Sequence, residues 1–159
     1  MRLGLCALLL ATCLVAAAAD DTLDDAFERD VLAIVASKHA CYRFDIYLAV
    51  TYEQQKRGLM FVRELPETTG MLFIYPKTDY YSMWMKNTFI PLDIAFATEN
   101  GTIVNIARHT EPQSLKSISS ERPVNYVLEL NAGVTERLKI HAGSRLIIGP
   151  GIEQIRTRQ

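Results

Sequence analysis

Apolar and polar positions alternate with a period of two through much of this chain. In Cys41-Tyr-Arg-Phe-Asp-Ile-Tyr-Leu-Ala-Val50, residues Tyr42, Phe44, Ile46, Leu48 and Val50 share one face, while Arg43 and Asp45 point the other way. That is the signature of a half-buried strand. Val31–Ala36 predicts a strand before it, and Met71–Tyr75, an apolar run between Gly70 and Pro76, predicts a buried one after it. Further strands are expected over Tyr81–Lys86, Asp93–Ala97, Thr102–Ala107, Tyr126–Leu130 and Arg145–Ile148. Asn100-Gly101 between two apolar runs marks a hairpin.

Helical spacing is scarce. Thr51 caps a short helix over Tyr52–Arg57, with Gly58 at the closing position that tolerates a left-handed turn. Val134–Ile140 predicts one or two helical turns. For residues 22–36 helix and strand both remain open, since Leu23, Phe27, Val31 and Ile34 also fall at helical spacing. Strands that do not alternate regularly with helices argue against a parallel nucleotide-binding sheet. The expected fold is mainly β, a compact antiparallel β-sandwich or barrel-like domain with two short helices.

The first residues break the pattern. Met1-Arg2-Leu3 gives a positive start, Gly4–Val15 is continuously apolar, and Ala16–Ala19 supplies small residues for cleavage. Residues 1–19 read as a secretory signal peptide, with an apolar run too short to span a bilayer. Leu10-Ala-Thr-Cys13 offers the alternative of a lipidated cysteine. An acidic leader, 20–30, a single β-rich domain, 31–150, and a C-terminal tail, 151–159, complete the expected organisation. The protein is therefore expected in a periplasm or outside the cell, with no transmembrane segment once the signal is cleaved.

Composition supports one globular domain: of 159 residues, 49% are hydrophobic and 22% charged. The net charge is −1, and without the signal it is −2, from 16 basic and 18 acidic groups. No basic field exists to hold nucleic acid. Cleavage would leave Cys41 alone, so an internal disulfide is excluded, and its strand setting predicts a small buried hydrophobe.

Familiar catalytic signatures are missing: there is no GxSxG elbow, P-loop, glycine-rich dinucleotide turn or HExxH. His39, His109 and His141 fall in separate segments without zinc spacing. Two acids sit in apolar runs. Asp93 follows Pro91-Leu92, and Glu129 interrupts Val127-Leu-Glu-Leu130, where alternation sets it opposite Leu128 and Leu130. Met83-Trp84-Met85 projects two thioethers from one strand face, which with Met60 and Met71 would suit Cu(I), although such methionines are ordinarily core filler.

Gly58-Leu-Met60, Gly70-Met-Leu-Phe73, Met83-Trp-Met-Lys-Asn-Thr88, Ile90-Pro-Leu-Asp-Ile94, Thr110-Glu-Pro112 and Tyr126-Val-Leu-Glu-Leu-Asn-Ala-Gly133 occur in this order. Together they resemble the family called domain of unknown function 192, the uncharacterised ancient conserved region proteins. The resemblance runs from about Val31 to Ile148 and implies a small, often exported, mainly β fold with no established reaction. Some members carry cysteines after the Glu-Pro step, where this chain has Gln113-Ser114, so a metal or redox role tied to them does not transfer. The strongest family motif falls on Trp84, Met85, Lys86, Asn87, Thr88, Pro91, Leu92 and Asp93, and a second on Glu129.

These residues lead to one expectation and two alternatives. Trp84, Lys86, Asn87, Asp93 and Glu129, with Arg57, frame a pocket for a small polar or glycan-like ligand, without a metal or other cofactor. The enzyme alternative makes Asp93 and Glu129 an acid–base pair, which requires them to share a cleft. The other alternative is copper handling through the methionines.

Overall fold

The computed structural model describes residues 23–158. The predicted signal, Cys6, Cys13 and the start of the acidic leader lie outside them. Seven strands form one curled sheet in the order β6-β5-β8-β3-β2-β1-β9. They are β1 (Glu28–Ser37), β2 (Ala40–Ala49), β3 (Thr69–Asp79), β5 (Leu92–Ala97), β6 (Ile103–Ala107), β8 (Val124–Asn131) and β9 (Arg145–Ile147). Two short strands, β4 (Ser82–Met83) and β7 (Ile118–Ser119), pair separately. Pairing is antiparallel except between β2 and β3, which run parallel, so the barrel-like expectation holds with one departure from a purely antiparallel sheet. The crossover through α2 (Tyr52–Arg57) and residues 58–68 makes that parallel pairing geometrically possible.

The curl brings the outer strands together. Thr102 bridges Arg145, Ile103 N–H donates to the Ser144 carbonyl at 2.9 Å, and Leu146 N–H donates to the Gly101 carbonyl at 2.8 Å. Gly101 has φ 80° at the hairpin tip, and a β-carbon there would lie 2.1 Å from the Leu146 carbonyl oxygen. Only glycine allows this seam to close.

Alternation divides the apolar residues into two cores. The interior of the curl holds Leu32, Ile34, Phe44, Ile46, Leu48, Leu72, Ile74, Tyr126, Leu128 and Leu130. The outer face of the central strands holds Tyr47, Met71, Phe73, Ile94, Phe96 and Val127, joined by Phe27, Leu59, Met83, Met85 and Leu92. Central strands are therefore buried on both faces, and β8 is buried at every position except Asn131, its polar Asn125 and Glu129 included.

Three parts of the sequence reading need correction. Both options for residues 22–36 are partly realised, since α1 (Leu23–Ala26) is one turn and the acidic leader's Glu28–Asp30 already belong to β1. The stretch taken as a tail forms α4 (Pro150–Arg158), which buries Ile152 and anchors Arg156 between Glu99 and Glu153, each at 2.6 Å. Cys41 is exposed rather than buried, because its face of β2 is uncovered at that end, whereas Tyr47 and Ala49 on the same face are roofed by the outer core. Among the described residues no helix is long and apolar enough to cross a membrane.

Candidate functional site

The site begins with the way α2 is fixed. Thr51 Oγ1 accepts from Gln54 N–H at 3.3 Å, and Gln54 Oε1 accepts from the Thr51 N–H at 3.0 Å, a reciprocal capping box. Gln55 Nε2 then donates to the carbonyls of Val50 (3.0 Å) and Ile74 (2.8 Å), tying the helix to β3. Gly58 ends the helix at φ 48°, where a β-carbon would lie 3.1 Å from the Phe73 ring. The chain can thus lie directly on β3, and Lys56, Arg57 and Met60 are carried to the rim of a hollow.

Strand alternation supplies the floor. Phe73 and Tyr75 of β3 and Glu129 of β8 border the hollow, with Ser82, Met83, Trp84 and Thr88 from the opposite side. Its volume is about 90 Å³, room for about three waters or one terminal group of a ligand. Tyr75 stacks on Tyr81 with centroids 3.7 Å apart, and its hydroxyl donates to Met83 Sδ at 3.8 Å. Trp84, the single tryptophan, is 46% exposed, and Lys86 Nζ lies 5.0 Å from its ring centroid.

Glu129 is the unusual member. It is 4% exposed, and its Oε2 has no hydrogen-bond partner. Burial pushes its carboxyl from the ordinary value of 4.5 up to about 8, so at neutral pH it is mostly protonated. Tyr75 is raised in turn, first by its own burial and then by the neighbouring Glu129. An unpartnered buried oxygen costs about 1–3 kcal/mol, which the fold has left uncompensated at the bottom of an opening.

The structure gathers some of the predicted residues and separates others. Trp84, Glu129 and Arg57 line one hollow, and Arg57 also lies 5.6 Å from the Phe27 ring. Lys86 joins them through Trp84. Asn87 braces the rim from behind: its carbonyl accepts from Phe61 N–H at 2.8 Å, and Nδ2 donates to Met60 Sδ at 3.9 Å. Its φ of 55° turns the chain sharply after Lys86.

Asp93 does not belong to the hollow. It points to the other face of the sheet, where Oδ1 accepts from His109 N–H at 3.0 Å. Oδ2 accepts from the N–H groups of Gly133 (3.1 Å) and Thr135 (3.0 Å) and from Thr135 Oγ1 (2.7 Å). Thr135 Oγ1 also accepts from Arg108 Nε at 3.1 Å. Asp93 therefore ties the end of β6 and the start of α3 (Val134–Arg137) to β5, and it bonds neither Asn87 nor Lys86. With Asp93 and Glu129 on opposite faces, the acid–base pair of the enzyme alternative has no common cleft.

The methionines do not gather as one set: Met60 and Met83 border the hollow, whereas Met71 and Met85 do not. Met71 and Met85 are fully buried and Met83 nearly so. Met85 Sδ accepts from Thr110 Oγ1 at 3.1 Å, while Met83 and Met60 sulfurs face Tyr75 and Asn87. They serve as packing and as acceptors for separate donors, not as one ligand set. Among the described residues no group of three or more His, Cys, Asp or Glu side chains converges as for a metal. Tyr75, Gln55 and Lys56 were not among the residues expected at the site, and Met60 was expected only among the methionines of the copper alternative. Tyr75 alone had a signal, since it shares the alternation of Met71 and Phe73.

A curled seven-strand sheet with a pocket on its roofed outer face defines a small β-barrel-like class of protein. Residues 33–148 match the family described as Uncharacterized ACR, domain of unknown function 192, and the chain belongs to that family. Two solved structures are similar at TM-score 0.74. One, from Sinorhizobium meliloti and provisionally described as a transcription regulator, is 38% identical, covering 76% of this chain and 93% of that one. The other, a Novosphingobium aromaticivorans protein of unknown function, is 32% identical, covering 77% of this chain and 86% of that one. No functionally curated protein matches the chain.

Proposed function

We propose that this is an exported, non-catalytic binding protein whose pocket takes a hydroxyl-bearing edge of a small glycan-like ligand. The carrying observation is Glu129, a buried carboxyl with an unpartnered oxygen at the floor of an open hollow. A protonated carboxyl presents one O–H donor and one carbonyl acceptor, and a hydroxyl group answers both. Phe73, Tyr75 and Met60 supply apolar walls against which the C–H face of such a ligand packs, and Trp84 supplies an aromatic surface at the mouth. Export is supported by the positive start, the apolar run Gly4–Val15 and the small residues Ala16–Ala19.

The single tryptophan makes the test direct. Titration of the protein with a panel of monosaccharides and polyols should shift Trp84 emission and raise the melting temperature. Glu129→Leu, which keeps the volume but offers no hydrogen bond, should remove both responses for the ligand that gives them. If no panel member moves either signal, or the leucine variant binds as well as the parent, the pocket does not have this role.

A further inference from the structure

Resting on that reading, we infer that the preferred ligand is an acidic sugar, a hydroxylated ring carrying a carboxylate or phosphate directed at the rim. The charge distribution around the hollow carries the inference. Lys56 and Arg57 line its mouth from the last turn of α2, and Lys86 holds its ammonium over the Trp84 ring 5.0 Å from the centroid. The only acid among the described lining residues is Glu129, which lies at the floor, away from the mouth.

The arrangement sorts ligands by where their groups fall. A cationic sugar would meet two or three positive side chains on entry. A neutral one would satisfy the floor but leave the rim to water. An acidic one satisfies both ends, with its hydroxyl on Glu129 and its anion between the lysines. Each rim pair is solvent-exposed and individually weak, so two of them together give a preference of roughly tenfold.

Calorimetric titration of the full chain with glucuronate, glucose 6-phosphate, glucose and glucosamine at pH 7 tests this. Either acidic sugar is expected to bind about tenfold more tightly than glucose, with glucosamine weakest. The two acids compared with each other identify the anion. The advantage should shrink as salt rises and should vanish in the double variant Lys56→Gln/Lys86→Gln, whose melting curve controls for folding. Glucose or glucosamine binding as tightly as the acids, still dependent on Glu129, would overturn the acidic preference and leave the proposed function standing. Absence of binding by all four sugars would overturn both.

Discussion

Replacing Glu129 with glutamine isolates the energetic cost of its ionisation. The folded carboxyl titrates at about 8 and the unfolded one near its ordinary 4.5. Between those values the unfolded chain gives up a proton that the folded chain keeps, so stability falls as pH rises. At about 1.4 kcal/mol per pH unit, the 4.5-to-8 span amounts to roughly 5 kcal/mol, of which about 3 are already lost by pH 7. The stability from the neutral carboxyl is fully present below pH 4.5, declines through the neutral range, and is exhausted above pH 8. The other ionisable groups around the hollow are Tyr75 on β3, whose hydroxyl is itself raised by burial, and Lys56 and Arg57 on α2. Urea unfolding at half-unit steps from pH 5 to 9 measures the effect. Glu129→Gln should flatten the curve, and the difference between the two proteins should change by about 3–4 kcal/mol across the series. The slope is the diagnostic, because the glutamine amide makes its own hydrogen-bonding demands on the floor. Parallel curves for the two proteins would mean that the carboxyl is solvated or paired, and the premise of the pocket would go with it.

Two further outcomes follow from the packing. Asp93→Ala should cost about 3–5 kcal/mol in chemical denaturation, since it strands the N–H groups of His109, Gly133 and Thr135 and the Thr135 hydroxyl; a loss under about 1 kcal/mol would show that water replaces the carboxylate. Removing residues 150–159 should lower stability by about 2–4 kcal/mol through loss of buried Ile152 and of the Arg156 ion pairs, read from the denaturation midpoint.

Where a strand alternates, the direction of its side chains was legible in the sequence. Alternation placed Phe44, Ile46 and Leu48 on the interior and Glu129 opposite Leu128 and Leu130, as observed. Asn100-Gly101 formed its hairpin, with Asn100 Oδ1 accepting from Thr102 N–H at 3.1 Å. Thr51 and Gly58 bounded α2 as expected. What failed was anything decided by partners distant in the chain. Tyr81–Lys86 contains only a two-residue strand, because Met85 and Thr88 make a turn and the segment pairs with residues 118–119. Asp93 lay beside Lys86 and Asn87 in sequence, yet its acceptors are filled from residues 109, 133 and 135. The α4 stretch has mixed polarity, and only the contacts of Ile152 and Arg156 make it part of the domain.

The join at Gly101 has a bearing on how the molecule assembles. Its two bridged residues, Thr102 and Arg145, stand 43 positions apart in the chain, and one of the two sides, β9, is only three residues long. Such a contact carries a loop-closure penalty with few bonds to repay it, so it forms after the hairpins and ruptures before them. Amide exchange at Ile103 and Leu146 should therefore be faster than at β8 in the middle of the sheet, and both should speed up together when Gly101 is changed. The weakest edge of the domain is thus a single narrow suture, and none of its residues borders the hollow around Glu129, whose floor belongs to the buried strands β3 and β8.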